Sequence, residues 1–315
     1  MSCQEIVSLL TKHNCLDFTK FLDEPTCSKI PVASGGLGDV YSGYLIDKTP
    51  LAIKTIRSCH EPGQSARMYH KRAAREIYTW SKCRHPNVLP LIGLAVFHDC
   101  LAMISRWEEN GSLLQYLSRD PSADRCSMST SICDGLAYLH ENDIVHGDLK
   151  GANILISQDG TPMLMDFGNA SLLDATLQFT QTNTGPTYSL RWTAPEILAG
   201  TSSHSAAGDI YSLGMTILEA FTAQIPYAGR HDYSLIVRVV IEKKVPDRPQ
   251  DAIPANSIDG DKLWAILNKC WAYDSKDRPT AEAVWNEMKE ITTENLKEIK
   301  SETEEESGET GEDVD

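Results

Sequence analysis

The chain has 315 residues, 41% of them hydrophobic, so it is long enough to bury a sizeable core. Acidic residues outnumber basic ones by 44 to 29, a formal net charge of −15, which argues against a nucleic-acid footprint or a polybasic membrane anchor. The nine cysteines form no CxxC pair, and no run of eighteen apolar residues occurs. We therefore expect reduced thiols, a cytoplasmic location with the nucleus as the alternative, no signal peptide and no membrane span.

Residues 1–25 carry apolar side chains at roughly helical spacing, namely Ile6, Leu9, Leu10, Leu16 and Phe21. This pattern predicts one or two short amphipathic helices. We expect them to pack against the β-rich part of the chain that follows, with a regulatory or partner-docking role as the alternative.

A glycine cluster and a strand with a lysine come next. The run PVASGGLGDVYSG has two β-like stretches around its glycines, where backbone amides can approach phosphates because no Cβ intervenes. LAIKTI reads as a strand that carries Lys54, and residues 66–83 read as a helix that carries Glu76. Each feature alone also fits a plain hairpin and a solvated lysine.

The rest of the chain is predicted to be mainly helical. HPNVLPLIGLAV and CLAMISRW read as two more strands, and a helix starts after Ser112. Residues 127–141 form a helix, AAGDIYSLGMTILEAFTA is apolar on nearly all sides and predicts a buried central helix, and residues 233–242, 261–271 and 280–291 are amphipathic. The last fifteen residues hold eight acidic and no basic side chains, which is typical of a disordered tail.

Three polar residues in the middle of the chain suit phosphoryl transfer. In HGDLKGANIL, Asp148 is followed five positions later by Asn153, and Asp166 opens the Asp-Phe-Gly of MLMDFGNA. Phosphoryl transfer needs positioning and charge neutralisation, and oxygen ligands suit a hard cation. These motifs resemble the catalytic loop and metal-binding turn of eukaryotic protein kinases, in a form similar to the tyrosine-kinase-like branch and to many fungal kinases.

The resemblance implies an α+β, bilobal protein-kinase fold, with a small antiparallel β-sheet lobe holding one main helix and a larger, mostly helical lobe. We expect an N-terminal helical extension at 1–25, a kinase domain at 26–292 and an acidic disordered tail at 293–315. The small lobe would cover about 26–107 and the large lobe about 108–292. Within the large lobe, Asp209 resembles the aspartate that anchors the catalytic-loop backbone in this family, and Glu196 should pair with Arg278.

The resemblance also implies roles for particular residues. Asp148 would orient and deprotonate a substrate hydroxyl, Lys150 would reach the transferred phosphoryl group, and Lys54 would bind phosphates while paired with Glu76. Asn153 and Asp166 would hold Mg²⁺, with Mn²⁺ as the alternative metal. The expected ATP-binding residues are Ala33, Gly35, Gly36, Gly38, Val40, Ala52, Lys54, Ser105, Arg106, Trp107, Glu108, Asn153, Leu155 and Asp166.

Three positions depart from, or specialise, the family pattern. Ala33 occupies the slot of the first glycine, and Ser105 takes the gatekeeper position with Arg106, Trp107 and Glu108 as the hinge. Gly147 replaces an arginine that pairs with an activation-segment phosphate in many family members. We therefore expect weaker dependence on phosphorylation of Thr180, Thr182, Thr184 and Thr187.

The acceptor is predicted from two conflicting signals. Arg191-Trp192-Thr193 resembles tyrosine kinases, whereas Lys150 and Ser189 resemble serine/threonine kinases, because Ser189 can hydrogen-bond Asp148 and Lys150 and brace a shallow site. We favour a kinase that acts on serine and threonine hydroxyls of protein substrates, with no nucleic-acid partner and a monomeric state as default. The alternatives are a tyrosine or dual-specificity kinase, a nucleotide-binding pseudokinase scaffold and a small-molecule kinase.

Overall fold

A five-stranded antiparallel sheet forms the small lobe. The computed structural model describes residues 3–12, 15–34, 38–56, 77–166, 171–172 and 189–297. The strands are β1 (Ala33–Ser34), β2 (Gly38–Tyr44), β3 (Pro50–Ile56), β4 (Gly93–Phe97) and β5 (Cys100–Arg106), in the order β1-β2-β3-β5-β4. Residues 77–82 are helical and are called α2. The predicted antiparallel small lobe is confirmed.

The strand register assigns side chains to the two faces of this sheet. Val40 pairs with Lys54, Lys54 with Met103, and Ala52 with Ser105. Residues directly opposite one another in an antiparallel pair point to the same face, so these side chains share one face, called the inner face. On the other face, Leu51, Ile53 and Ile104 form a separate buried cluster.

The N-terminal segment packs against the small lobe, as predicted. Helix α1 (Cys3–Thr11) buries Ile6, Val7 and Leu10, and it packs on β4 and β5. After it, Leu16 O accepts a hydrogen bond from Leu94 N at 2.8 Å, and Phe18 N donates to Leu94 O at 2.7 Å. The chain therefore covers the edge of the sheet that β4 would otherwise expose.

The large lobe consists mainly of helices, as predicted. They are α3 (Leu113–Arg119), α4 (Arg125–Glu141), α5 (Pro195–Leu198), α6 (Ala206–Thr222), α7 (Asp232–Ile236), α8 (Ile258–Cys270) and α9 (Ala281–Met288), and residues 237–241 continue α7 as a π-helical turn. Helix α4 starts where the Asp124 side chain accepts hydrogen bonds from Cys126 N and Ser127 N. None of the described helices combines the length and apolar character that a membrane crossing requires.

Helix α6 lies in the core of the large lobe. Ser205 caps its first turn by accepting a hydrogen bond from Gly208 N, and most of the helix is buried, as its sequence predicted. It contacts α4, α8 and α3. Asp209 and Glu219 are its charged residues, and both are buried. Because buried carboxylates need partners, these two mark where α6 holds other parts of the chain.

Two short antiparallel strand pairs flank the loop that carries Asp148. Strand β6 (Ile144–Val145) pairs with β9 (Ser171–Leu172), and β7 (Ile154–Ile156) pairs with β8 (Pro162–Leu164). Residues 146–153 connect β6 to β7, so both ends of this catalytic loop are fixed by strand pairing.

Candidate active site

Hydrogen bonds to one carboxylate of α6 fix the start of the catalytic loop. Asp209 Oδ2 accepts a hydrogen bond from His146 N, and Asp209 Oδ1 accepts one from Gly147 N, both at 2.8 Å. His140 Nε2 lies 3.0 Å from Asp209 Oδ2. The predicted anchoring of the loop backbone by Asp209 is confirmed.

Gly147 has a backbone conformation that favours glycine. Its φ is 79°, in the left-handed region where a Cβ is costly. Glycine stands here where the family pattern has an arginine. The threonines at 180, 182, 184 and 187 lie outside the described residues, and the weak dependence on their phosphorylation stays a prediction.

Asp148, Lys150 and Ser189 form a closed triangle of hydrogen bonds. Lys150 Nζ donates to Asp148 Oδ2 at 2.8 Å and to Ser189 Oγ at 2.9 Å, and Ser189 Oγ donates to Asp148 Oδ1 at 2.6 Å. All three residues are partly buried. The predicted bonds from Ser189 to Asp148 and Lys150 are confirmed, and they hold a carboxylate and an ammonium group next to each other.

Asn153 and Asp166 place further oxygen atoms beside this triangle. Asn153 Nδ2 donates to Asp148 O at 2.7 Å and to Asp148 Oδ2 at 3.0 Å, and Met165 N donates to Asn153 O at 2.9 Å. Asp166 has a φ of 69°, a conformation that aspartate tolerates better than most residues. Its Oδ1 accepts a hydrogen bond from Lys54 Nζ at 2.8 Å. The amide and carboxylate oxygens form a donor set that fits a hard divalent cation.

The residues expected around a purine line the inner face of the sheet and the strand that follows the catalytic loop. Ala52 and Ser105 face each other across β3 and β5, and Val40 is opposite both Ala33 and Lys54. Leu155, on β7, packs against the main core. Gly35, Gly36 and Glu76 lie outside the described residues, so the predicted Lys54–Glu76 ion pair stays a prediction.

The hinge follows β5 and is held by the strand beside it. Trp107 N donates to Pro50 O at 3.3 Å, and Gly111 N donates to Glu108 O at 3.0 Å. Burial raises the pKa of Glu108, and the nearby Arg106 partly offsets this effect.

Gly38 approaches Thr55 O so closely that a Cβ there would lie 1.8 Å from that oxygen.

The small side chain of Ser105 should permit enlarged ligands. Ser105 is buried opposite Ala52, so the inner wall of the candidate purine site is made of small groups. We expect purine inhibitors with a bulky substituent to bind, and Ser105→Met to weaken them at least about fivefold, because overpacking a filled site costs about 1–3 kcal/mol. Isothermal titration checks this, with ADP as the control ligand. Unchanged affinity for the bulky ligand in Ser105→Met would make the gatekeeper assignment wrong.

Glu219 is a site residue that the sequence analysis missed. Its Oε2 accepts hydrogen bonds from Gly151 N, at the end of the catalytic loop, and from Trp192 Nε1, both at 2.8 Å. Burial raises the pKa of Glu219 to about 7, although these two donors and Lys150 oppose the shift. The sequence offered one signal of this role, because Glu219 lies in the mostly apolar part of the helix and a glutamate is rarely buried without a hydrogen-bond or ion-pair partner.

Glu219 should make stability depend on pH. A carboxyl whose pKa rises from 4.5 to about 7 on folding stabilises the protein below pH 4.5 and loses that contribution as pH rises through about 7. Glu219→Gln removes this loss, so its free energy of unfolding relative to wild type should increase between pH 5.5 and pH 8, by about 2 kcal/mol. Denaturant unfolding at both pH values checks this, with the exposed Glu287→Gln as control. Equal pH responses in both variants would contradict it.

The predicted ion pair between Glu196 and Arg278 is confirmed. Arg278 Nη1 donates to Glu196 Oε1 and Nη2 donates to Oε2, each at 2.7 Å. Arg278 also donates to Ala207 O and Ala272 O, each at 2.9 Å. This pair ties α5, which follows Ser189 and Trp192, to the end of the large lobe.

The chain resembles known kinases of both acceptor types. The serine/threonine-protein kinase STY46 of Arabidopsis thaliana is 29% identical over 267 residues, covering 84% of this chain and 44% of that protein. The mitogen-activated protein kinase kinase kinase 1a of Physcomitrium patens is 30% identical over 253 residues, covering 80% and 32%. The tyrosine protein-kinase src-1 of Caenorhabditis elegans is 29% identical over 268 residues, covering 82% and 47%. The chain thus spans less than half the length of these relatives.

The region of resemblance coincides with the two lobes. The protein kinase domain family matches residues 29–288, which include both the sheet and the helices that hold Asp148. The mixture of serine/threonine and tyrosine kinases among the relatives agrees with the resemblance to the tyrosine-kinase-like branch. Because the match covers most of the 315 residues, the chain belongs to the protein kinase family.

Proposed function

We propose that this protein is an ATP-dependent protein kinase that phosphorylates serine and threonine hydroxyls of protein substrates. The observation that carries the proposal is the triangle of Asp148, Lys150 and Ser189, whose polar atoms lie 2.6–2.9 Å apart. It presents a carboxylate that can take a proton and a cation that can face a phosphoryl group at the same point.

Each of the polar residues of the site has one role in the proposed reaction. The substrate hydroxyl oxygen attacks the γ-phosphorus of ATP while the bond to the β-phosphate oxygen breaks and ADP leaves. Asp148 accepts the hydroxyl proton, and Lys150 offsets the charge on the transferred group. Lys54 holds the α- and β-phosphates, and Glu76 is its proposed partner.

Asn153 and Asp166 are the proposed metal ligands. Both offer side-chain oxygens, the Asp166 side chain is 31% exposed despite its contact with Lys54, and Asn153 is oriented by two bonds to Asp148. Bound Mg²⁺, or Mn²⁺ in its place, would neutralise charge on the phosphates. The purine would lie between Val40, Ala52 and Leu155, next to the hinge of Arg106, Trp107 and Glu108.

The bond from Ser189 to Asp148 supports a serine or threonine acceptor. Ser189 bonds to Asp148 directly, so the floor of the site lies next to the general base and suits a short side chain. A tyrosine or dual-specificity kinase is the second candidate, since Arg191-Trp192-Thr193 resembles tyrosine kinases and src-1 is among the relatives. A pseudokinase scaffold would be suggested by Ala33 and Gly147, but Lys54, Asp148, Asn153 and Asp166 are all retained.

Domain boundaries and cellular location are also proposals. We place the kinase domain at 26–292, preceded by the extension at 1–25 and followed by the acidic tail at 293–315. The described cysteines at 3, 15, 27, 83, 100, 126, 133 and 270 are free thiols, which supports action in a reducing compartment such as the cytoplasm.

Phosphate transfer to a generic basic protein tests the activity and the acceptor together. Purified protein is incubated with labelled ATP and Mg²⁺, and the phosphorylated residue type is identified by mass spectrometry. Phosphoserine or phosphothreonine supports the proposal, and phosphotyrosine alone supports the second candidate. Nucleotide binding without any transfer would favour the scaffold and reject the kinase activity.

A further inference from the structure

The N-terminal extension is structurally continuous with the small lobe although it lies outside the matched family region. The family match begins at residue 29, whereas Ile6, Val7, Leu10 and Cys15 are as buried as the sheet residues beneath them. These buried side chains therefore extend the core of the small lobe beyond the residues that the family match covers.

The extension is fixed to the edge of the sheet by backbone pairing. Leu94 N donates to Leu16 O, and Leu94 O accepts a hydrogen bond from Phe18 N. Thr19 Oγ1 accepts a hydrogen bond from Val96 N at 3.0 Å. The Cys3 thiol also donates to Asp99 O, in the turn between β4 and β5, at 3.5 Å. These contacts hold α1 at one position relative to β4 and β5.

Helices α1 and α2 belong to one continuous core. Leu94 and Met103 are opposite each other on the inner face, and both belong to the core cluster that contains Ile6, Val7 and Leu10 of the extension. The same cluster includes Ile77 and Trp80 of α2. The apolar side chains of the extension and of α2 therefore continue into each other through the core.

One contact joins the extension to α2 directly. The Cys15 thiol is buried, which raises its pKa, and a hydrogen bond with the Ser81 side chain partly offsets that shift. On the neighbouring side of the helix, Trp80 Nε1 donates to Leu89 O. Helix α2 thus contacts the extension through Ser81 and the segment before β4 through Trp80.

The position of α2 matters because of the residue that precedes it. Glu76, the proposed partner of Lys54, comes one residue before the first described residue of α2 and four before Trp80. We infer that residues 3–15 are a positioning element that holds α2, the helix that directly follows Glu76 in the sequence, in the position that phosphate transfer requires. This inference rests on the proposed kinase function.

Two buried leucines of the extension provide a matched test. Leu10 is 5% exposed and belongs to the cluster that contains α2, whereas Leu22 is 7% exposed and belongs to the cluster on the other face of the sheet. Leu10→Ala and Leu22→Ala in the full chain each leave a similar cavity. Should Leu10→Ala fail to fold, Cys15→Ala, which removes only the thiol facing Ser81, takes its place.

The two variants are compared by kcat on a serine-containing peptide and by hydrogen–deuterium exchange of residues 77–83. We expect Leu10→Ala to lower kcat at least about fivefold and to speed exchange of α2, since it shifts the population in which α2 is in place. Leu22→Ala should leave both close to wild type at an equal loss of Tm. Equal effects of the two variants, or none, would overturn the inference. If wild type transfers no phosphate, the proposed function fails, and the exchange comparison still decides whether the extension holds α2.

Discussion

Asp148→Asn is expected to lower kcat by roughly 10²- to 10⁴-fold, the usual contribution of a general base. The amide keeps the size of the side chain and can still accept a hydrogen bond from Ser189 or Lys150. It cannot take the proton of the attacking hydroxyl. The loss should therefore fall on kcat, with little change in the KM for ATP, because the nucleotide contacts its other proposed ligands.

Steady-state kinetics of wild type and variant measure this effect. Asp143→Asn is a matched control: Asp143 precedes β6, is exposed, and has a φ of 59°, a conformation that asparagine also adopts readily. Asp143→Asn should keep wild-type turnover. A loss of less than about tenfold in Asp148→Asn, in protein that retains its Tm, would remove Asp148 from the role of general base.

Arg278→Ala is expected to destabilise the large lobe by about 3–5 kcal/mol, the cost of leaving one member of a buried ion pair alone. The Arg278 side chain is 0% exposed and Glu196 is 17% exposed, so water can reach the orphaned carboxylate only in part. The change also removes the donors that Ala207 O and Ala272 O now use. Glu196, Ala207 O and Ala272 O would each lose this donor, and all three residues are only partly exposed.

Denaturant unfolding of both proteins at neutral pH measures this loss. The exposed pair of Lys269 and Glu287 is the control, since its side chains are 54% and 41% exposed and Nζ lies 2.9 Å from Oε2. Lys269→Ala should cost no more than about 1 kcal/mol. If Arg278→Ala and Lys269→Ala cost the same, the buried pair does not stabilise the lobe in the way its geometry indicates.

The parts of the fold that the sequence predicted well are those with local signals. The helix after Ser112 begins where a Ser-x-x-Gln pattern lets Gln115 Oε1 accept a hydrogen bond from Ser112 N, and α6 is buried because it is apolar on nearly all sides. The bonds of Ser189, the anchoring by Asp209 and the Glu196–Arg278 pair followed from residues that match kinase motifs. Their spacing in the chain alone would not have brought them together.

The features that the sequence did not predict depend on contacts between distant segments. Glu219 is recognisable as an exception in an apolar helix, but its donors, Gly151 N and Trp192 Nε1, belong to two other segments. The π-helical turn at 237–241 keeps Val239 buried without changing the apolar pattern of the sequence. The apolar spacing of residues 1–25 predicted a helix, yet it carried no information that residues 16–18 would pair with Leu94.

Gly93 is the point where the extension crosses the sheet. A Cβ at this position would lie 2.4 Å from the Phe18 ring and 2.5 Å from Leu16 O, so any other residue would push the extension away. The path of residues 16–18 along β4 therefore depends on a glycine at position 93. A larger side chain there is expected to displace the N-terminal segment from the sheet.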